Sequence, residues 1–179
     1  MTVLCIDPSS KSSGIAVVKD GAVVFITTAS NLCGNYKVIE ELIIQYKPQL
    51  LLKESPFCGI NKKTYSKLCK IHGVIELLAE LYNIPIREYT PSQGKKNCGT
   101  STRDKNSKKI VNSYVNNYFG TNIADLDITD ALVLYINYIK EEGGNNGWAT
   151  ASNGLKKVRQ NRRFNKLSHA KHKRPLCRN

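Results

Sequence analysis

Asp7 closes one short apolar run, Glu54 closes another directly after Leu50-Leu51-Leu52-Lys53, and Asp127 and Asp130 open the last helical pattern of the chain. The chain carries a formal net charge of +13, so four carboxylates placed this way stand against the charge around them. Holding cations is the use that fits them. Magnesium takes hard oxygen ligands and keeps part of its water shell, so two to four convergent carboxylates suffice to hold it against a phosphate. Two such ions about 4 Å apart activate a water and stabilise a leaving 3′ oxygen in an in-line displacement. The chemistry within reach is phosphodiester hydrolysis with two Mg²⁺ ions, Mn²⁺ substituting.

Each acid also has a plainer use. Asp7-Pro8-Ser9-Ser10 has the composition of an Asx turn. Asp127 and Asp130 have the spacing of a helix N-cap and an N3 acid. Glu54 resists such a reading, because a glutamate at the end of a buried strand is costly to bury unpaired.

The elements that must carry these residues follow from periodicity. Val3 to Ile6, Gly14 to Val18 and Ala22 to Thr27 read as three strands of an antiparallel meander, with the last two joined by a tight Asp20-Gly21 hairpin. Val38, Ile39, Leu42, Ile43 and Tyr46 recur at helical spacing over about 36–46, and Pro48 stops that helix before a fourth strand at Leu50 to Leu52. A helical crossover makes the fourth strand parallel to the first. A long helix over 62–82, a short strand near 84–88, and helices over about 104–119 and 128–139 complete an α/β fold with a mixed five-stranded sheet. Gln93 to Thr102 reads as a polar loop. In this arrangement Asp7 and Glu54 share the end of the sheet where ligands of open α/β sheets bind. A last helix packed through Ile128, Ala131, Leu132, Tyr135 and Ile139 brings Asp127 and Asp130 to the same rim.

Of the 27 Lys and Arg, ten lie in residues 151–179, which contain no Asp or Glu. Such a tail binds polyanions through counterion release; it lacks the Trp and Leu face of an interfacial membrane helix. A solvated, disordered arm is the other reading. The division expected is a catalytic domain over 1–142, a Gly/Asn-rich linker over 143–154 and a basic nucleic-acid-binding tail over 155–179. Trp148 in the linker is read as an anchor docking the arm on the body, with base stacking as its alternative. Six scattered cysteines without a C-x-x-C pair, no signal-like N-terminus and no apolar stretch near 20 residues predict a reduced protein of the cytoplasm, without membrane contact.

Val3-Leu4-Cys5-Ile6-Asp7-Pro8-Ser9-Ser10 with Ser13-Gly14-Ile15-Ala16-Val17, the apolar run ending in Glu54 with Phe57 after it, and Asp127-Ile128-Thr129-Asp130-Ala131-Leu132 together resemble the motifs of RuvC-type Holliday junction resolvases. The resemblance spans residues 3 to about 140. It implies a ribonuclease H-like fold, a homodimer, and Mg²⁺-dependent paired nicks across four-way DNA junctions. By motif, Asp7, Glu54, Asp127 and Asp130 are then the catalytic metal ligands and Phe57 stacks or wedges at the junction's base pairs. Ser9 departs from the family's usual glycine, and the tail resembles the variation of phage and other viral relatives.

The DNA would lie along basic faces. Lys63, Lys67 and Lys70 recur at i, i+4 and i+7 on the second helix, next to Lys62 and apart from the apolar stripe Leu68, Ile71, Ile75, Leu78 and Tyr82. Lys95 and Lys96 sit in the polar loop, and Lys105, Lys108 and Lys109 on the next helix. By alignment with the family Lys105 is the catalytic lysine near the scissile bond, with Lys108 the alternative; ordinary solvated lysines are the plainer reading. His72 is read as a packing or helix-surface residue rather than a catalytic one, and His169, His172 and Cys177 as too few ligands for zinc. Two other functions fit parts of the pattern: the same fold cutting flaps, forks or RNA/DNA hybrid, and a non-catalytic nucleic-acid-binding protein. An actin-like ATPase would need a second phosphate loop and about twice the length.

Overall fold

The computed structural model describes residues 1–56 and 61–146. Phe57, Trp148, the linker beyond residue 146, the basic tail and its His169, His172 and Cys177 lie outside the described residues. Strands β1 (Thr2–Asp7), β2 (Ser13–Lys19) and β3 (Ala22–Ala29) form the meander, helix α1 (Asn31–Tyr46) crosses to β4 (Leu50–Glu54), and α2 (Lys62–Leu81) crosses to β5 (Ile86–Tyr89). Helices α3 (Pro91–Asn97), α4 (Ser107–Phe119) and α5 (Leu126–Asn146) follow. The sheet order is β3-β2-β1-β4-β5, with β1–β2 and β2–β3 antiparallel and β1–β4 and β4–β5 parallel. This is the expected mixed five-stranded sheet.

Alternation along each strand divides the core into two layers. Val3, Cys5, Ala16, Val18, Leu50 and Leu52 face α5 and α4, whereas Leu4, Ile6, Ile15, Val17 and Leu51 face α1 and α2. Buried on both faces, β1 and β4 read as continuous apolar runs rather than as alternating ones. Among the described residues no helix is long and apolar enough to cross a membrane.

Four boundaries differ from the sequence reading, each for a local reason. Helix α1 begins at Asn31, five residues early: the Asn31 carboxamide accepts from the Gly34 N–H at 2.9 Å, and asparagine tolerates the φ of 54° found there. The first half of the loop expected over Gln93 to Thr102 is helical, as part of α3. Thr90 and Gln93 form a reciprocal capping box, and Pro91 takes the first helical position, where its missing N–H costs nothing. Helix α4 starts at Ser107 rather than Asp104, because the Asp104 carboxylate accepts from the Asn106 N–H at 2.8 Å and holds those residues in a turn. Helix α5 continues through Gly143 and Gly144 to Asn146, past the expected break at 141. Its last turns are tied to the sheet edge by Arg87 to Glu142 at 2.6 Å and by the Tyr89 hydroxyl to Glu141 at 2.7 Å.

The approach of α5 to the sheet depends on one glycine. A Cβ built on Gly14 of β2 would lie 1.8 Å from the Asp127 carbonyl oxygen. Only a residue without a side chain lets the first turn of α5 sit on the strand. Gly14→Ala is therefore expected to destabilise the protein by about 1–3 kcal/mol or more, the cost of overpacking, despite alanine's better fit to a strand. A urea titration showing an unchanged midpoint would mean that the helix start can shift without loss.

Candidate active site at the carboxyl ends of the central strands

In the parallel pairing of β1 with β4, Ile6 lies opposite Lys53. One residue further along, Asp7 and Glu54 come abreast at the carboxyl ends of the two strands. By alternation, Asp7 follows Val3 and Cys5, and Glu54 follows Leu50 and Leu52, so both carboxylates point to the α5 side. The start of α5 supplies the other two acids. Asp125, just before the helix, accepts from the Asp127 N–H at 2.9 Å and so takes the capping role that Asp127 had been a candidate for. The carboxylates of Asp127 and Asp130 are left to line, with Asp7 and Glu54, a cavity of about 360 Å³.

The turn after β1 likewise does not consume Asp7. Serines close it: the Ser13 hydroxyl accepts from the Ser9 N–H at 3.0 Å, and the Ser9 hydroxyl from the Lys11 N–H at 3.3 Å. Ser9 is absent from the residues with positive φ, so the turn does not require the glycine usual at this position.

Burial first, then the nearby charges of Glu54, Asp130 and Asp127, push the Asp7 carboxyl well above the ordinary carboxylate range, and Asp7 and Glu54 are close enough to share a proton. Burial also raises Glu54, Asp130 adding to the rise while Lys95 and Lys108 oppose it. Asp130 is raised by burial against the pull of Lys108 and Lys95. The donor set is all hard oxygen, with no thiol or imidazole, which fits Mg²⁺ or Mn²⁺ better than softer metals. No three Asp, Glu, His or Cys side chains among the described residues already stand close enough to hold one ion.

The lysines sort by element. Lys108, in the first turn of α4, stands 3.5 Å from the Asp130 carboxylate and lines the cavity, as does half-buried Lys95 on α3. Lys105, the lysine expected nearest the chemistry, is exposed in the turn before α4 and does not line the cavity. The later start of α4 is the reason, since it turns residues 108 and 111 toward the site. Lys96 and Lys109 are exposed beyond the rim. Lys62, Lys63, Lys67 and Lys70 lie on the exposed side of α2, whose Thr64 and Leu68 reach the cavity wall.

Sequence reasoning missed Lys53. It points to the opposite face from Glu54, is fully buried, and its ammonium meets Glu76 at 2.6 Å, Glu88 at 2.8 Å and His72 Nδ1 at 3.1 Å. His72 is buried, as expected of a packing residue, but its work is polar. Burial, with Lys53 beside it, lowers its pKa to about 4, so the ring is neutral and free to accept from the lysine. A charged residue inside an otherwise apolar run, with glutamates 23 and 35 residues on, was the available signal.

Residues 3–138 match the family model described as crossover junction endodeoxyribonuclease RuvC. The chain belongs to the RuvC family. A Fusobacterium nucleatum protein named crossover junction endodeoxyribonuclease RuvC is 28% identical over 191 residues, covering 98% of this chain and 99% of its own. A protein of the same name from Hydrogenovibrio crunogenus is 30% identical over 118 residues, 58% of this chain and 69% of its own. Among solved structures, Thermus thermophilus RuvC in complex with a Holliday junction substrate aligns with a TM-score of 0.68 at 18% identity, covering 80% of this chain and 97% of that one. The fold is thus that of the RuvC resolvases, the ribonuclease H-like fold.

The raised carboxyls make a prediction about the metal-free protein. A group whose pKa is higher folded than unfolded binds extra protons in the native state between the two values, so stability falls as pH rises through that window. Near neutral pH the acid cluster is a net cost. Asp7→Asn in EDTA should therefore melt above the wild type near neutral pH, with the gain shrinking as pH falls toward the ordinary carboxylate range. Thermal melts across that range check it, and a lower melting temperature for the variant at neutral pH would count against the clustering.

Proposed function

We propose that the cavity is the active site of an endodeoxyribonuclease that resolves four-way DNA junctions by paired nicks, with Asp7, Glu54, Asp127 and Asp130 holding two Mg²⁺ ions. The observation that carries the reading is that four carboxylates from β1, β4 and α5 line one cavity with only two lysines beside them, in a chain of net charge +13. Such acids repel DNA unless cations intervene, which argues against a binding protein without catalysis. Bound there, the ions would activate a water and neutralise charge at the scissile phosphate.

The chain's own residues do the rest. Glu54 and Asp7 define the floor of the site from adjacent strands, and Asp130 and Asp127 its wall. Lys108 and Lys95 flank the acids and orient the phosphate that enters between them. The exposed lysines of α2, together with Lys96 and Lys109, track the backbone of a junction arm; the roles expected from sequence for Phe57, stacking at the junction's base pairs, and for the basic tail, binding nucleic acid, fall on residues outside those described. Asp7→Asn should lower junction cleavage in Mg²⁺ by more than about 100-fold, since even changing a group that only orients a metal ligand costs about 10–100-fold. Lys108→Ala should cost about 100-fold in kcat/KM, the scale of one lost transition-state donor, and Lys105→Ala only a screened phosphate contact. Single-turnover cutting of matched four-way, forked and linear substrates measures all three. Undiminished cleavage by Asp7→Asn would remove the site assignment, and equal cutting of linear duplex would remove the substrate.

Paired nicks call for two active sites, and α2 offers a seam for a homodimer. Leu77 and Leu81 are exposed one turn apart, 54% and 65% accessible, and Gly73 one turn earlier has open space where a Cβ would stand. A glycine inside a helix costs about 1 kcal/mol relative to alanine, a cost that close approach of a second helix would offset. Leu77→Glu with Leu81→Glu should shift sedimentation from dimer to monomer and turn paired cuts into single nicks; a dimer that persists would move the interface elsewhere.

A further inference from the structure

Lys53 is fully buried on the α2 side of the sheet, where a hydrocarbon side chain is the usual occupant. An ammonium has three protons to donate, and here three acceptors take them. Glu76 Oε1 at 2.6 Å and His72 Nδ1 at 3.1 Å come from α2, and Glu88 Oε1 at 2.8 Å from β5. Stability alone does not account for such an arrangement. Replacing a buried ion pair by apolar side chains of similar volume is often neutral or stabilising, so a methionine between Leu52 and Glu54 would serve the core as well.

What the lysine ties down is the end of β4. Strand β1 pairs with β4 as far as Ile6 opposite Lys53, and among the described residues the strand partner of Glu54 is Tyr89 of β5 alone. Glu54 thus has paired backbone on one side only, and it shares the cavity with three other carboxylates whose like charge works against keeping it in place. Two sets of bonds hold it. Before Glu54, Lys53 joins β4 to β5 through Glu88, its neighbour across the strands, and to α2 through Glu76 and His72. After Glu54, the Ser55 N–H donates to the Tyr89 carbonyl oxygen at 2.9 Å, and the Ser55 hydroxyl donates to the same oxygen at 3.3 Å.

We propose that Lys53 is a positioning residue for the metal site: by fastening β4 to β5 and α2 one residue before Glu54, it holds that carboxylate where an ion can use it, although its own side chain points the other way. The inference rests on the metal-dependent nuclease reading above. The role is mechanical, and its sign is opposite to that of charge. Removing a cation from the far side of the sheet leaves the acids in a more negative surrounding, so by Coulomb attraction alone the site would bind a divalent ion more tightly. A loosened Glu54 binds it less tightly.

Titrating the full-length protein with Mn²⁺, the free ion read by electron paramagnetic resonance, separates the two. Lys53→Met keeps the hydrocarbon of the side chain and loses its three bonds, and its affinity for Mn²⁺ should fall about tenfold, the lower end of what groups supporting metal ligands contribute. If Lys53→Met does not fold, Glu88 carries the test from its half-exposed position. Glu88→Gln and Glu88→Leu lose the same charge, but only the glutamine keeps an acceptor for the lysine. The leucine variant should bind Mn²⁺ several-fold more weakly than the glutamine variant. Equal affinities in that pair, or unchanged or tighter binding by a folded Lys53→Met, would make the cluster a packing device and overturn the inference while leaving the nuclease intact. A wild type that binds no Mn²⁺ would instead overturn the metal site itself.

Discussion

The parallel register of β1 on β4 is the constraint on which the site depends, because it forces two acidic side chains side by side where the sheet ends. A slip of one residue would exchange Glu54 for Lys53 opposite Asp7 and turn the apolar side chains of β4 to the wrong faces. Lys53 guards against that slip. Its ammonium is held by Glu76 of α2 and Glu88 of β5 on one face, which commits the next residue, Glu54, to the other. The strand thus ends in opposite charges on opposite sides of the sheet, the lysine paired with two glutamates and the glutamate facing the cavity. Each glutamate partner of Lys53 is about half exposed, so the pair keeps some contact with water and avoids much of the penalty of a wholly buried ion pair.

Bringing α5 to the same rim adds to the repulsion, and the structure answers it in two ways. The first turn of α5, carrying Asp127, presents the positive end of a helix dipole toward the acids. Lys95 and Lys108 arrive from α3 and α4, which pack chiefly on α5 rather than on the sheet. Neither suffices, since Asp7, Glu54 and Asp130 all remain raised. The fold thus leaves the acid cluster under-neutralised, and the two lysines set how far.

Elements with a single dominant driving force were legible from the chain. Buried strands show as Val3 to Ile6 and Leu50 to Leu52, and α2 and α5 as apolar stripes, so the sheet, the crossovers and the meeting of Asp7, Glu54, Asp127 and Asp130 followed from pattern. What escaped was set by side chains acting on nearby backbone. Thr90-Pro91-Ser92-Gln93 is a capping box in plain view, yet Gly94 and Asn97 made the segment look like a loop, because a glycine chosen for contact with Val133 is indistinguishable in sequence from one chosen for a turn. Asp104 likewise hid the start of α4, and with it the exchange of Lys105 for Lys108. The end of α5 was misread because Gly143 and Gly144 weaken a helix, while its anchors, Arg87 and Tyr89, lie more than 50 residues away.

Helix α5 divides its surface between the core and the cavity. Ala131, Leu132, Tyr135 and Ile136 are buried in the core, Asp127 and Asp130 face the acids, and Val133, Leu134 and Asn137 line the rest of the cavity. Turning such a helix by one residue, about 100°, would place a carboxylate in the core and an isoleucine in the site, so its rotation is locked by burial rather than by any one contact. Asp127 and Asp130 therefore sit on a helix whose rotation is fixed by its buried face. Lys95 and Lys108 come from α3 and α4, which pack chiefly on α5, so the same helix that orients Asp127 and Asp130 also sets where the two lysines stand against them.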